Sequence, residues 1–280
     1  MIVITGATGA LNGATVDHLL EHVTPGEVAV VARDVTRAAR FADRGVQVRH
    51  GDYADPASLP SAFADADQLL LVSSSDPTAD AVSLHGAAVN AAAEAGVGRI
   101  LYTSHQAAAP GNPFPPGRDH FATEQLLAAS GIPWTSLRNG FYAHSITWLA
   151  GPWRETGVIA VPGDGPVSWT AREDAAEAAA LILRSGGAHE GPTTLTAPAA
   201  LSFAELTGIA SQLSGRTIRF QLMDEQDWVS QRAAAGQSEH QTSFLLGFYR
   251  AAQGGFFAGT DPLLGELLDR TPRRARDVLT

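Results

Sequence analysis

Residues Thr5-Gly6-Ala7-Thr8-Gly9 stand between the apolar run Ile2-Val3-Ile4 and the helical spacing Val16, Leu19, Leu20. Gly6 permits a tight turn, and Gly9 lets backbone without a Cβ come close to an anion at a helix N-terminus. Such a layout suits a diphosphate, which backbone amides rather than side chains would face. A glycine pair alone is weak evidence, but this one follows a strand and opens a helix, as the chemistry requires. One position is irregular. Spacing the glycines as Gly-x-x-Gly-x-x-Gly puts the third at Asn12. A third glycine normally lets the helix lie close to the sheet, so a slightly displaced helix is expected, with Gly13 relieving part of the crowding.

Further residues of chemical interest fall at predicted strand ends. The second strand ends Val30-Val31-Ala32-Arg33-Asp34, with Arg37 one turn on. In dinucleotide folds an acidic residue here accepts from a ribose 2′-OH, whereas an arginine pairs with a 2′-phosphate. Arg33 therefore favours NADP(H), and Asp34 keeps NAD(H) open. Ser73, Ser74 and Ser75 close the fourth strand, where small hydroxyls can approach a diphosphate or simply end a strand. Ser104 closes the fifth and could donate to a substrate oxygen. His120 and Glu124 are four apart and share a helix face. One histidine and one carboxylate at that spacing could act as proton donor and orienter. A surface hydrogen bond explains them equally well, and two groups make a poor metal site. After the sixth strand comes Leu137-Arg138-Asn139-Gly140-Phe141-Tyr142, where Gly140 allows close backbone approach. Phe141 and Tyr142 can form a flat wall for a planar substrate.

The elements that must position these residues alternate in the first half of the chain. Strands are predicted at 2–5, 27–32, 46–50, 68–73, 99–103 and 134–137, with helices between them, the pattern of βαβ units in a parallel sheet. The run 107–117 holds four prolines and two glycines and reads as a loop. Beyond about residue 139 the rhythm changes: strands at 157–161, 193–196 and 217–222, an alanine-rich helix at 172–183, and a capping-box pattern at Ser202-Phe203-Ala204-Glu205. The expected fold is α/β: a Rossmann-type doubly wound parallel sheet with a smaller C-terminal α/β lobe covering the cleft. The expected domains are 1–150 and 151–280, sharing some elements.

Composition narrows the chemistry. The 280 residues include no cysteine and no lysine; all 19 basic side chains besides histidine are arginines. Thiolate catalysis, disulfides, Schiff bases and a Tyr-x-x-x-Lys proton relay are excluded. A formal net charge of −10 disfavours nucleic acid as a partner. No stretch approaches the length of a membrane span, and the N-terminus reads as a strand rather than a signal peptide. A soluble cytoplasmic protein fits best; a homodimer is allowed but not specified.

Together these residues resemble the NmrA-like branch of the atypical short-chain dehydrogenase/reductases, and within it the bacterial NAD(P)H:quinone oxidoreductases. The resemblance spans essentially the whole chain and rests on 4–9, Arg33, Gly51-Asp52-Tyr53, 73–75, Tyr102-Thr103-Ser104, His120-x-x-x-Glu124, 137–142 and 170–176. It implies cofactor contacts from Gly6, Ala7, Thr8, Gly9, Ala10, Leu11, Arg33, Ser73, Ser74, Ser75, Leu137, Arg138, Asn139, Gly140, Phe141, Tyr142 and Ser168. The implied activity is hydride transfer from NADPH to a quinone or similar planar acceptor, with no metal. Tyr142, His120 and Ser104 are the candidate catalytic residues. A dinucleotide-binding redox sensor with little turnover is the alternative.

Overall fold

The computed structural model describes residues 1–74, 76 and 79–279. Strands form at Ile2–Thr5 (β1), Val28–Ala32 (β2), Gln47–His50 (β3), Gln68–Leu71 (β4), Ile100–His105 (β5), Trp134–Asn139 (β6), Phe141–Tyr142 (β7), Val158–Val161 (β8), Trp169–Thr170 (β9), Gly191–Leu195 (β10) and Arg219–Leu222 (β11). A seven-stranded sheet runs in the order β10-β6-β5-β4-β1-β2-β3. β1 pairs in parallel with both β2 and β4, β2 with β3, and β4 with β5. The order reverses between β1 and β4, the place where doubly wound sheets open a crevice beyond their strand ends. The central strands are apolar because helices cover both faces: β2 is buried along its whole length, as are Val3, Ile4 and Leu69 to Leu71.

The chain divides into two compact, interleaved units: Met1–Ser104, Asp119–Arg138 and Arg172–Thr193 form one, and His105–Arg118, Asn139–Ala171 and Thr194–Thr280 the other. A cut near residue 150 follows the chain, whereas contacts cross it. The helix Arg172–Arg184 packs on the helix Ala10–Leu19 inside the first unit. Its buried alanines at 175, 176, 178, 179 and 180 permit that close approach. In the second unit an aromatic core gathers Phe114, Phe141, Trp169, Phe203, Phe248 and Phe257, with Phe248 and Phe257 stacked at 5.2 Å. Two small parallel pairs, β8 with β11 and β7 with β9, complete it.

Most of the predicted elements form, and two differ for identifiable reasons. The helix after the proline-rich run begins at Pro115, not Arg118. The first turn of a helix has no intrahelical N–H partner to lose, so prolines are tolerated there. A helix absent from the expected elements forms at Glu239–Gln253, where Ser238 and Gln241 cap it reciprocally. Gly96 and Gly131 take the left-handed conformation just beyond their helices.

The capping box at Ser202 forms: its hydroxyl accepts from Glu205 N at 3.2 Å, and its own N–H donates to Glu205 Oε2 at 2.8 Å. Replacing Ser202 by Ala is expected to cost about 1 kcal/mol of unfolding free energy, and by Gly a few tenths. Urea denaturation of both variants checks this order.

Candidate functional site

β1 ends at Thr5, and the chain turns at Gly6 with φ +66°. A Cβ there would lie 2.6 Å from Val72 Cγ1, so both the backbone angle and the space demand glycine. The Gly9 N–H donates to Gly6 O at 2.9 Å and closes the turn, and the helix Ala10–Leu19 follows at once. Asn12 is buried in its first turn, with Nδ2 donating to Thr5 O at 2.8 Å. The close packing that a third glycine normally allows occurs one residue later. A Cβ at Gly13 would lie 2.8 Å from Ala7 O.

A cleft of about 610 Å³ opens at this edge of the sheet, within the size range of small-ligand sites. Gly6, Thr8 and Gly9 line it from β1, Arg33 and Arg37 from beyond β2, and Ser73 and Ser74 from beyond β4. Of the other expected cofactor contacts, Ala7 is buried within the turn, and Ala10 and Leu11 begin the helix without lining the cleft. Ser75 lies outside the described residues. Leu137 is buried in β6, while Arg138 is committed to Glu124, as described below. Asn139, Gly140, Phe141, Tyr142 and Ser168 belong to the second unit.

Arg33 is exposed and makes no hydrogen bond or ion pair among the described residues. Asp34 is occupied differently. Its Oδ1 accepts from Thr36 N at 3.0 Å and Thr36 Oγ1 at 2.6 Å, capping the turn that follows. These bonds hold its carboxyl below the usual range.

Part of the cleft wall is a hydrogen-bonded hub of Thr5, Tyr53 and Val72. Thr5 Oγ1 accepts from Val72 N–H at 2.8 Å and stands 2.7 Å from the Tyr53 hydroxyl, which donates to Val72 O at 3.1 Å. Desolvation of that hydroxyl pushes Tyr53 well above the ordinary phenol range. The loop after β4 is tied down in the same way. Ser73 N–H donates to Thr103 Oγ1 at 2.8 Å, and Ser74 N–H donates to His85 Nε2 at 2.7 Å. An accepting Nε2 places the proton of the neutral ring on Nδ1, 2.8 Å from Thr123 Oγ1. Burial holds His85 down at about 4, so the ring is neutral near pH 7.

His120 and Glu124 share a helix but serve separate networks. His120 Nδ1 lies 2.9 Å from the buried Tyr102 hydroxyl. Glu124, itself buried, accepts from Ser104 Oγ at 2.8 Å, Ser136 Oγ at 2.6 Å and Arg138 Nε at 2.9 Å, and pairs with Arg138 Nη2. The Ser104 hydroxyl proton is thus spent on Glu124. In the second unit the Tyr142 hydroxyl accepts from Asn139 Nδ2 at 3.2 Å. Gly140 N–H donates to Leu195 O at 2.8 Å, and a Cβ at Gly140 would lie 2.8 Å from Ser168 O. Among the described residues, no group of three or more His, Asp or Glu is placed to hold a metal ion, and no helix is long and apolar enough to cross a membrane.

The sequence model of the NmrA-like family matches residues 1–245. The chain belongs to the NmrA-like family. This NmrA-like chain is 34% identical over 262 residues to quinone oxidoreductase 2 of Escherichia coli (strain K12), a match covering 92% of the chain and 90% of that protein. Its fold is similar to the crystal structure of NADPH-dependent quinone oxidoreductase from Escherichia coli complexed with NADPH. There the TM-score is 0.91 at 31% identity, over 99% of this chain and 98% of that one. Triphenylmethane reductase from Citrobacter sp., complexed with NADP(H), gives a TM-score of 0.90 at 33% identity, over 100% and 99% of the two chains.

The buried histidine sets an acid limit on stability. Below its ordinary value of 6.5, the unfolded chain binds a proton at His85 that the folded chain refuses until about pH 4. Stability is therefore full above pH 6.5 and falls as pH drops towards 4, by up to about 3 kcal/mol from this ring. His105, lowered to about 4 by desolvation, adds in the same direction. Urea denaturation between pH 7 and pH 5 is expected to show the decline, and His85→Gln is expected to reduce it to the part that His105 contributes.

Proposed function

We propose that the protein is an NAD(P)H-dependent oxidoreductase that reduces a quinone or a similar planar acceptor, with NADP(H) preferred over NAD(H). One observation carries the cofactor half. At the tip of β2, Arg33 projects into the cleft without a partner among the described residues, while Asp34 is turned onto Thr36. A guanidinium there complements a 2′-phosphate, while Oδ1 of the neighbouring carboxylate is engaged by Thr36. The glycine turn fits a diphosphate: a Cβ added at Gly9 would meet only Gly6 O, at 3.3 Å, and otherwise open space. The NADPH and NADP(H) named with the two similar crystal structures support the same cofactor.

The acceptor half rests on chemistry. When bound, the nicotinamide supplies a hydride. Reducing an ordinary ketone also demands a strong proton donor, usually a tyrosine lowered by a lysine, and this chain has no lysine. A quinone demands less. Hydride delivery leaves a hydroquinone anion whose charge spreads over an aromatic ring, so solvent or a weak donor completes the reaction. What the chain must supply is orientation, which in favourable cases is worth about 7–11 kcal/mol. Tyr142, which follows Phe141 in β7 and whose hydroxyl is held by Asn139, is the residue we assign to stacking and donation. Ser104 and His120 are assigned to holding the framework through Glu124 and Tyr102. The similar quinone oxidoreductase is named for a planar acceptor and the similar triphenylmethane reductase for an aromatic one, and both support this class of acceptor. The expected setting is the cytoplasm, without a nucleic-acid partner, as a monomer or homodimer.

Two measurements test the reading. Mixing the protein with NADPH and menadione is expected to bleach the reduced-nicotinamide absorbance above the uncatalysed rate; tight NADPH binding with no turnover would instead favour the sensor. Arg33→Ala is expected to raise the NADPH dissociation constant about tenfold to a hundredfold while leaving NADH nearly unchanged, as loss of a charged hydrogen bond implies. Gly9→Ala is expected to fold normally and to lose nucleotide affinity, read by calorimetry.

A further inference from the structure

The glycine turn carries an asparagine where a third glycine belongs, and by packing alone that residue looks like a defect to be repaired. The structure points the other way. Asn12 is 1% exposed, its Nδ2 donates to Thr5 O at 2.8 Å, and its Oδ1 has no partner among the described residues. A buried amide with one orphaned acceptor is costly unless its other end does something a glycine could not. The packing argument for glycine has also lapsed, because Gly13 already provides the close approach to Ala7 O.

We propose that Asn12 is a positioning residue for the diphosphate-binding turn: its amide clamps the first turn of the helix Ala10–Leu19 to the last carbonyl of β1 and so fixes Gly6 to Gly9 between them. The turn passes close to Val72 at its start, where a Cβ on Gly6 would find no room, and is closed across its middle by Gly9 N–H to Gly6 O. Neither fixes the helix relative to the strand. The Asn12–Thr5 bond does, spanning seven residues of chain from one side of the turn to the other. Preorganised amides lose less freedom when an anion arrives, so the clamp should appear in affinity and not only in stability. The inference rests on the cofactor reading above.

The test compares two ligands on the folded protein by titration calorimetry: NADPH, which carries a diphosphate, and adenosine 2′-monophosphate, which reaches only the Arg33 side. Asn12→Gly, which completes the glycine spacing, is expected to weaken NADPH about tenfold, the equivalent of one hydrogen bond, and to leave the monophosphate within about twofold. Hydrogen exchange at the amides of residues 6–9 is expected to quicken in the ligand-free variant. Equal or tighter NADPH binding by Asn12→Gly overturns the proposal, and so does equal weakening of both ligands, which would mark a general structural role. Asn12→Ser, too short to reach Thr5 O but small and polar, repeats the comparison if the glycine variant does not fold; unchanged NADPH affinity there also overturns it. If the unaltered protein takes up the monophosphate but not NADPH, the diphosphate role of the turn falls. If it takes up neither, the cofactor reading falls and this inference with it.

Discussion

Thr5 is the point from which the candidate site is hung. Its hydroxyl accepts from Val72 N–H and meets the Tyr53 hydroxyl, and its carbonyl accepts from Asn12. Three chain segments, from beyond β3, beyond β4 and the start of the first long helix, are thereby referred to one residue at the end of β1. A parallel sheet fixes its strands along their length, but not the loops that leave their C-terminal ends. The bonds to Thr5 extend the order of the sheet one layer beyond its last ladder bond. They do so in a desolvated setting, where a missing partner is expensive and the network therefore holds one arrangement.

The same economy governs the ionisable groups. Glu124 is buried yet meets two serine hydroxyls and a guanidinium. Such a carboxylate is a joint between the helix Pro115–Ala129 and strands β5 and β6, and its acceptor capacity is used by the framework. His85 plays the corresponding part for the loop after β4. In a chain without lysine or cysteine, few groups remain to act as strong acids or nucleophiles, which is why binding and orientation must carry the chemistry.

How much of this the sequence disclosed depends on the distance over which each signal acts. The glycine turn and Arg33 were legible because a strand, a turn and a helix follow one another within twenty residues, so local order encodes the geometry. His85 was not: it sits on an alanine-rich helix face and reads as core, and its partners Ser74, Tyr102 and Thr123 lie 11, 17 and 38 positions away. Glu124 misled for the same reason. Its spacing from His120 suggested a pair, whereas its hydrogen-bond donors Ser136, Arg138 and Ser104 stand 12, 14 and 20 positions away, on strands that only the fold brings close. The helix after Ser238 carries a local signal, since Ser238-x-x-Gln241 is a capping-box spacing.

The loop beyond β4 spends the N–H groups of Ser73 and Ser74 inward, on Thr103 and His85. What those two residues can turn towards the cleft is therefore carbonyl and hydroxyl oxygen, not amide hydrogen. The two banks differ in kind: backbone without side chains at Gly6 and Gly9 on one, and carbonyl and hydroxyl groups, the hydroxyls able to donate as well as accept, on the other. Anything lying between such banks meets unlike walls on its two sides, so the groove discriminates by face.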